Sequence, residues 1–263
     1  MKILVLLKQT PDTETQILLS SDAKTIDHSQ TKYIVNPYDE FAIEEGLRFQ
    51  EKNSNSELVL VCFGSVSAKE RIIRGLAMGA DRGLLIDNSG WEETDSLVVA
   101  KVLASVIQKE KCDLVLCGKQ AIDDDNMHIG VMVAEYLGWP HINVVTQITA
   151  EGDKLIVERE IEGGQKEVYE TSFPVVLGAH KSLNVPRYAS LPGIMKAKKK
   201  ALDVKTAQDF GIDPQLKQTL SQVKVEGYVY PQQKPKGKVF QGEPVEVMVE
   251  KLVKVLREEV KVI

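Results

Sequence analysis

Residues 113 to 139 read DLVLCGKQAIDDDNMHIGVMVAEYLGW, a strand, a loop and a helix in that order. Asp113 to Cys117 is a short apolar run suited to a strand buried on both faces. Gly118 ends it, and Lys119, Gln120, Asp123, Asp124, Asp125 and Asn126 cannot continue it. From His128 onward, Ile129, Val131, Met132, Val133, Ala134, Tyr136 and Leu137 support a helix that Gly138 and Pro140 close. In a parallel α/β sheet, ligands lie beyond the carboxyl ends of the strands. The loop falls there, with the free N–H groups of the helix start turned toward an anion. Asp125 or Asn126 stands where it can cap that helix. The stretch is neither the GxxxxGK(S/T) nor the GxGxxG phosphate motif. Three consecutive aspartates repel a phosphate, so the backbone would bind it and the carboxylates would cap, turn or hold ribose hydroxyls. An ordinary strand-to-helix connection fits the same residues.

Outward from this stretch the pattern repeats. Lys2 to Leu7 is a continuous apolar strand, followed by a loop at Lys8 to Pro11. Residues 12 to 35 are polar and irregular, with a short hairpin around Asp22 to Thr25. Asn36-Pro37-Tyr38-Asp39 starts a helix: Asn36 caps it, Pro37 takes the first helical position, and Asp39 and Glu40 favour the positive end of the dipole. Strands at Leu58 to Phe63 and Arg82 to Ile86 alternate with helices at Ala68 to Met78 and Asp95 to Lys109. That alternation predicts a parallel, doubly wound, Rossmann-like α/β sheet. After Pro140, short runs at 144–149, 155–161 and 166–171 are separated by Glu151-Gly152-Asp153 and Glu162-Gly163-Gly164, which predicts an antiparallel hairpin extension. Pro174 to Ala179 is one more apolar strand.

Near residue 185 the composition shifts, dividing the chain into an α/β domain over 1–185 and a segment over 186–263. Arg187 to Pro192 reads as a loop, and Lys196, Lys198, Lys199 and Lys200 form a basic run. Residues 201 to 240 carry little periodicity and read as an arm lying on another surface. Glu243 to Glu259 is an amphipathic helix with Val245, Met248, Leu252, Val255 and Leu256 on one side.

Composition narrows the classes. Of 263 residues, 43% are hydrophobic and 27% charged, which are globular values. A net charge of −5 argues against a nucleic-acid binder. Cys62, Cys112 and Cys117 lack CxxC spacing and read as buried thiols of a reducing compartment, and four scattered histidines make no metal pattern. No apolar run approaches the ~18 residues of a membrane span, and the N-terminus enters a strand without a signal or transit peptide, so the expectation is a cytoplasmic protein.

Four segments together resemble the beta subunit of electron transfer flavoprotein: VNPYDEFAIEEGLR (35–48), GLAMGADRG (75–83), GKQAIDDD (118–125) and YASLPGIMKAKKK (188–200). EGDKLIVEREIEGG (151–164) is similar to the family's hairpin. The resemblance spans the chain and implies an electron-carrier subunit without catalytic residues of its own. It implies a partner alpha subunit that carries FAD, a bound AMP in this subunit, and an arm wrapped on the partner. It further implies electron transfer from acyl-CoA or related dehydrogenases of fatty acid oxidation to a membrane quinone oxidoreductase or another acceptor.

Carried over by position, the AMP site comprises Leu6, Asn36, Pro37, Tyr38, Asp39 and Phe63. To these it adds Gly118, Lys119, Gln120, Ala121, Ile122, Asp123, Asp124, Asp125, Asn126, Met127, His128 and Ile129. Family members often have small polar residues before the glycine at 130, where this chain has Met127, His128 and Ile129, so backbone N–H groups carry the site here. Tyr38 matches an aromatic that faces the flavin, and a first-turn residue packing on its neighbour fits it equally. Leu191 matches the anchor of a loop that docks on dehydrogenases, with Pro192, Ile194, Met195, Lys196 and Lys199 beside it and the four lysines steering toward acidic surfaces.

An electron-bifurcating member with a second FAD in place of AMP is an alternative. The acidic run 123–125 resembles the AMP-binding group, since bifurcating members tend to place a glycine within it. A free-standing nucleotide-binding regulator resembling universal stress proteins would carry a Gly-rich phosphate loop late in the chain, which the sequence lacks. A hydrolase would need GxSxG, HExxH or a supported Cys/His pair, and none is present.

Overall fold

The computed structural model describes residues 1–91, 94–234 and 236–263. They form two compact units, Met1–Gly227 and Tyr228–Ile263.

In the first unit the chain runs β1 (Lys2–Leu6), β2 (Gln9–Pro11), β3 (Leu18–Leu19), β4 (Ile26–Asp27), β5 (Tyr33–Val35) and α1 (Pro37–Lys52). It continues through β6 (Glu57–Gly64), α2 (Lys69–Met78), β7 (Arg82–Asp87), α3 (Ser96–Glu110), β8 (Leu114–Gly118) and α4 (Ile129–Leu137). Then come β9 (His141–Glu151), β10 (Lys154–Glu160), β11 (Lys166–Ser172), β12 (Val175–Ala179), α5 (Leu191–Ala197), β13 (Leu202–Thr206) and α6 (Leu216–Leu220). The main sheet has nine strands in the order β11-β10-β9-β12-β8-β1-β6-β7-β13. Strands β9 through β13 along this order are parallel, and β10 and β11 extend it antiparallel through two hairpins, as the turn residues predict. The expected hairpin near Asp22 is β3 paired with β4.

The period-two alternation of β1 divides two cores. Ile3, Val5 and Leu7 face α1 and α2 with Leu58, Leu60, Ile43, Leu47, Ile72 and Leu76. Leu4 and Leu6 face α3 and α4 with Val59, Val61, Val102, Val106 and Val133. Both faces of the central strands are covered, which is why their sequences read as unbroken apolar runs. The chain proceeds from β1 through β6 to β7 on one flank, then crosses to β8 on the other. The carboxyl end of β1 is therefore the point where strand order reverses, the place at which open α/β sheets take their ligands.

Residues 201 to 227, read from the sequence as an arm, lie within the first unit. Leu202–Thr206 pairs in parallel with β7 as the sheet's edge strand. Asp95 caps α3 by accepting from Leu97 N at 2.8 Å and also accepts from Gln222 N and Val223 N at 2.7 and 2.8 Å. β13 carries no apolar run to signal it, because four of its five residues are exposed. In the second unit, α7 (Val245–Val255) ends in a π turn, Leu256–Val260, and its Val245, Val249 and Leu252 are exposed.

Candidate functional site

Three strand ends and one helix start meet at the reversal point. β1 contributes Leu6 and the following Lys8, β6 ends in Phe63 and Gly64, β8 ends in Gly118, and α1 begins at Pro37. Leu6 is buried beside Cys117 of β8 and Val61 of β6, and half-buried Phe63 packs on the same core.

Asn36 and Asp39 tie these parts together. Asp39 is 4% exposed and accepts three hydrogen bonds: from Lys8 N at 2.7 Å, Gly118 N at 2.9 Å and Asn36 Nδ2 at 2.9 Å. Burial pushes its carboxyl up to about 7, opposed by those three donors. Asn36 Nδ2 also donates to Gln120 O at 2.9 Å, and its Oδ1 accepts from Ile122 N at 3.3 Å. The side chain expected to cap α1 makes no cap bond. It reaches across to the loop instead, because that loop's buried backbone groups need partners as much as the helix does. Gly118 is required here: a Cβ on it would meet Asp39 Oδ1 at 2.5 Å and Tyr38 Cβ at 2.6 Å.

The acidic run is compensated within the chain. Lys8 Nζ bonds Asp123 Oδ1 at 2.8 Å and Asp124 Oδ2 at 3.0 Å, and the Gln120 amide bonds Asp125. Burial opposes charge on Lys8, but the two carboxylates outweigh it and raise its ammonium above the ordinary value. The repulsion of a phosphate by three aspartates, argued from sequence, is thereby reduced. Lys8 is the residue that sequence reasoning missed. Its signal was a lone cation directly after an apolar strand, at the carboxyl end where ligands bind.

The loop's path differs from the expectation at the helix start. Neither Asp125 nor Asn126 caps α4; the residue before it is His128, without a side-chain cap bond. Asp125 and Met127 instead take left-handed backbone conformations, φ +51° and +58°, which carry Asn126 and its neighbours around a tight bend. His128 is exposed, Met127 and Ile129 half-buried. Gly130 is buried in the first turn, where a Cβ would lie 2.9 Å from Cys117 Sγ, so the first turn of α4 packs close against the end of β8. Ala121 and Ile122 are half-buried. The Lys119 ammonium lies over the Tyr38 ring, 5.2 Å from its centroid. The three cysteines are buried free thiols that burial pushes up to about 12, which suits packing.

At the other candidate surface, Leu191 begins a helix rather than sitting in a loop. Ser190 caps α5 by accepting from Gly193 N at 3.1 Å, and Pro192 occupies the first turn. Leu191 is 79% exposed and Met195 73%, with Pro192 and Ile194 also exposed. Lys196, Lys198 and Lys199 face solvent. Lys200 does not: its Nζ donates to the carbonyls of Leu76, Gly79 and Ala80, so the exposed cluster has three lysines, not four.

The electron transfer flavoprotein domain profile matches residues 24–210. Among relatives, the electron transfer flavoprotein subunit beta of Sus scrofa is 44% identical over 228 residues, 86% of this chain and 88% of its own. That of Bradyrhizobium diazoefficiens is 42% identical over 213 residues, 81% of this chain and 84% of its own. That of Thermoanaerobacterium thermosaccharolyticum is 38% identical over 257 residues, covering 96% of this chain and 98% of its own. The chain belongs to the electron transfer flavoprotein beta-subunit family. The matched span covers every candidate residue above except Leu6 and Lys8. Family membership places the chain among electron-transport flavoprotein subunits, which are carriers rather than enzymes. Among the described residues no helix is long and apolar enough to cross a membrane, and no group of three or more His, Cys, Asp or Glu side chains could hold a metal ion.

Proposed function

We propose that this chain holds AMP at the carboxyl end of β1 and pairs with an alpha subunit that carries the redox FAD. The observation that carries the reading is the loop 118–129, fixed by Asn36 and Asp39, with the single positive charge of Lys8 shared between two of its three aspartates. Backbone N–H groups at the start of α4 are the phosphate donors, as the residue types Met127, His128 and Ile129 require. Leu6, Phe63 and the half-buried Ile122 offer apolar contact for a base. Tyr38, with the Lys119 ammonium over its ring, would face the partner's flavin.

FAD would supply the one-electron chemistry in the assembled pair. This chain's part is to bind, orient and present. AMP makes contacts without reacting, and it stabilises the pair by binding only the folded state. Electrons would come from acyl-CoA or related flavin dehydrogenases, docking at Leu191 and its neighbours, and leave to a quinone oxidoreductase or another acceptor. The exposed apolar residues of α7 suit the second unit to lie on the alpha subunit.

The test is the nucleotide content of the purified two-subunit protein. Denaturation and chromatography should release one AMP and one FAD per pair. Two FAD and no AMP would replace this reading with the bifurcating one.

A further inference from the structure

The exposed apolar segment around α5 is fixed at both ends by bonds into the body of the first unit. Upstream, Arg187 lies along α1. Its backbone N–H and Nε donate to Glu44 Oε2 at 3.2 and 2.8 Å, and Nη2 donates to Glu44 Oε1 at 3.0 Å. Nη1 donates to Glu51 at 2.5 Å. The Glu44 side chain is 4% exposed, so the fork-on-carboxylate pair is anchored in the interior. Downstream, Lys200 Nζ donates to Leu76 O at 3.1 Å, Gly79 O at 2.9 Å and Ala80 O at 2.6 Å. These are carbonyls left open at and just past the end of α2, the negative end of its dipole. Between the anchors, Tyr188, Leu191 and Met195 are 96%, 79% and 73% exposed. At seven residues, α5 is well short of the ~12–15 that an isolated helix needs to persist in water. Its shape therefore depends on tertiary contacts: Ala197 is buried, Gly193 lies close against the Ala77 carbonyl of α2, and the two ends are held.

We infer that Arg187 and Lys200 are positioning residues that hold α5 preorganised, so that a reduced flavin dehydrogenase meets an already ordered apolar face. This rests on the docking role proposed for Leu191. A segment ordered only on contact would spend part of its binding free energy on that ordering, and a carrier that binds briefly has little to spare. Neither residue needs to touch the partner.

The test uses the two-subunit protein with Arg187→Met and Lys200→Met. Electron uptake is measured from an acyl-CoA dehydrogenase held reduced by its acyl-CoA, and hydrogen exchange of residues 191–197 is measured without it. Each variant should raise the half-saturating carrier concentration by about three- to tenfold, with kcat and dithionite reduction unchanged. Exchange over 191–197 should quicken by about tenfold or more. In a Leu191→Ala background neither variant should add more than about twofold, because both act through the same segment. Additive losses would overturn the inference by showing direct contact with the dehydrogenase, as would unchanged exchange. Should Arg187→Met fail to fold with Glu44 unpaired, Lys200→Met carries the test alone, since its aliphatic stem is kept. Uptake unmoved by Leu191→Ala sinks the docking reading itself. Faster exchange with uptake unmoved only in the anchor variants overturns their positioning role.

Discussion

Replacing Asn36 with alanine should loosen the loop 118–129 before any other part of the chain. Asn36 is 1% exposed and makes three hydrogen bonds, to Asp39, Gln120 O and Ile122 N, at 2.9, 2.9 and 3.3 Å. Alanine deprives a loop carbonyl and a loop N–H of that partner and takes one of three donors from the buried Asp39 carboxylate. A net hydrogen bond contributes about 1 kcal/mol, and more to a charged group, so the loss is about 3 kcal/mol, or nearer 2 if water enters the loop. No cap contribution is added, because the side chain does not cap α1. In a chain of this size each kcal/mol moves Tm by about 2–4 °C, so a fall of about 4–12 °C is expected. Thermal denaturation of the two-subunit protein reads the first number. Hydrogen exchange reads the second consequence, faster opening of 118–128 while β1 and β6 stay protected. AMP should also be lost on gel filtration. Asn36→Asp keeps the acceptor for Ile122 N but sets a second carboxylate against Asp39. It should destabilise more at neutral pH, and the gap should narrow as pH falls and one of the two takes a proton. A Tm within about 1 °C of the parent, with loop exchange unchanged, would refute the claim that Asn36 links α1 to the loop.

Leu191→Ala removes a side chain that is 79% exposed, so Tm and flavin spectrum should not move. If it fills a pocket on the dehydrogenase the loss is on the order of 2 kcal/mol, seen as a roughly tenfold or larger drop in electron uptake. Unfolding of the variant would instead make Leu191 a core residue. Burial works against the Glu44 charge, but Arg187 and Arg48 outweigh it and hold the carboxyl below its ordinary value of 4.5. Its contribution to stability is therefore complete above pH 4.5 and lost as pH falls through the lowered value, so the Tm gap between parent and Glu44→Gln should shrink below pH 4.5. A gap constant from pH 7 to acid would contradict this. Ending the chain after Gly227 should leave the first unit folded and weaken pairing with the alpha subunit, whereas ending it after Lys200 removes β13 and bares the edge of β7. Equal circular dichroism and solubility for both truncations would count against the edge-strand role.

Much of this architecture is legible in the residues because burial on two faces leaves no room for polar side chains. KILVL, LVLVC, GLLI and LVLC announce β1, β6, β7 and β8, and Asn-Pro-Tyr-Asp announces α1. What was not legible follows a common cause, long-range partners overriding local propensity. Asn36 has the identity and place of a cap, yet Gln120 and Ile122 claim its amide from the loop. Asp125 and Asn126 look like caps for α4, but the bend at Asp125 and Met127 moves them away from its start. β13 is an edge strand on a polar surface, and Lys200 differs from its three basic neighbours only through the carbonyls it meets. Ser190 before Leu-Pro did signal the start of α5 and could have been read.

β12 lies between β8 and β9, and that placement sets an order of events during synthesis. When residues 114–118 leave the ribosome, β1 is already available on one flank, but the other flank has no neighbour. β9 is made next and cannot take the place, which belongs to a strand not complete until Ala179. Through that interval an apolar strand presents bare N–H and C=O groups, a template for pairing with the wrong chain. The loop 118–129 is fully synthesised by residue 129, yet Gly118 and Lys119 at its root register against Ala179. Ordering of the loop's root therefore waits on strand insertion rather than on synthesis of the loop, and the last strand into the middle of the sheet acts as its gatekeeper.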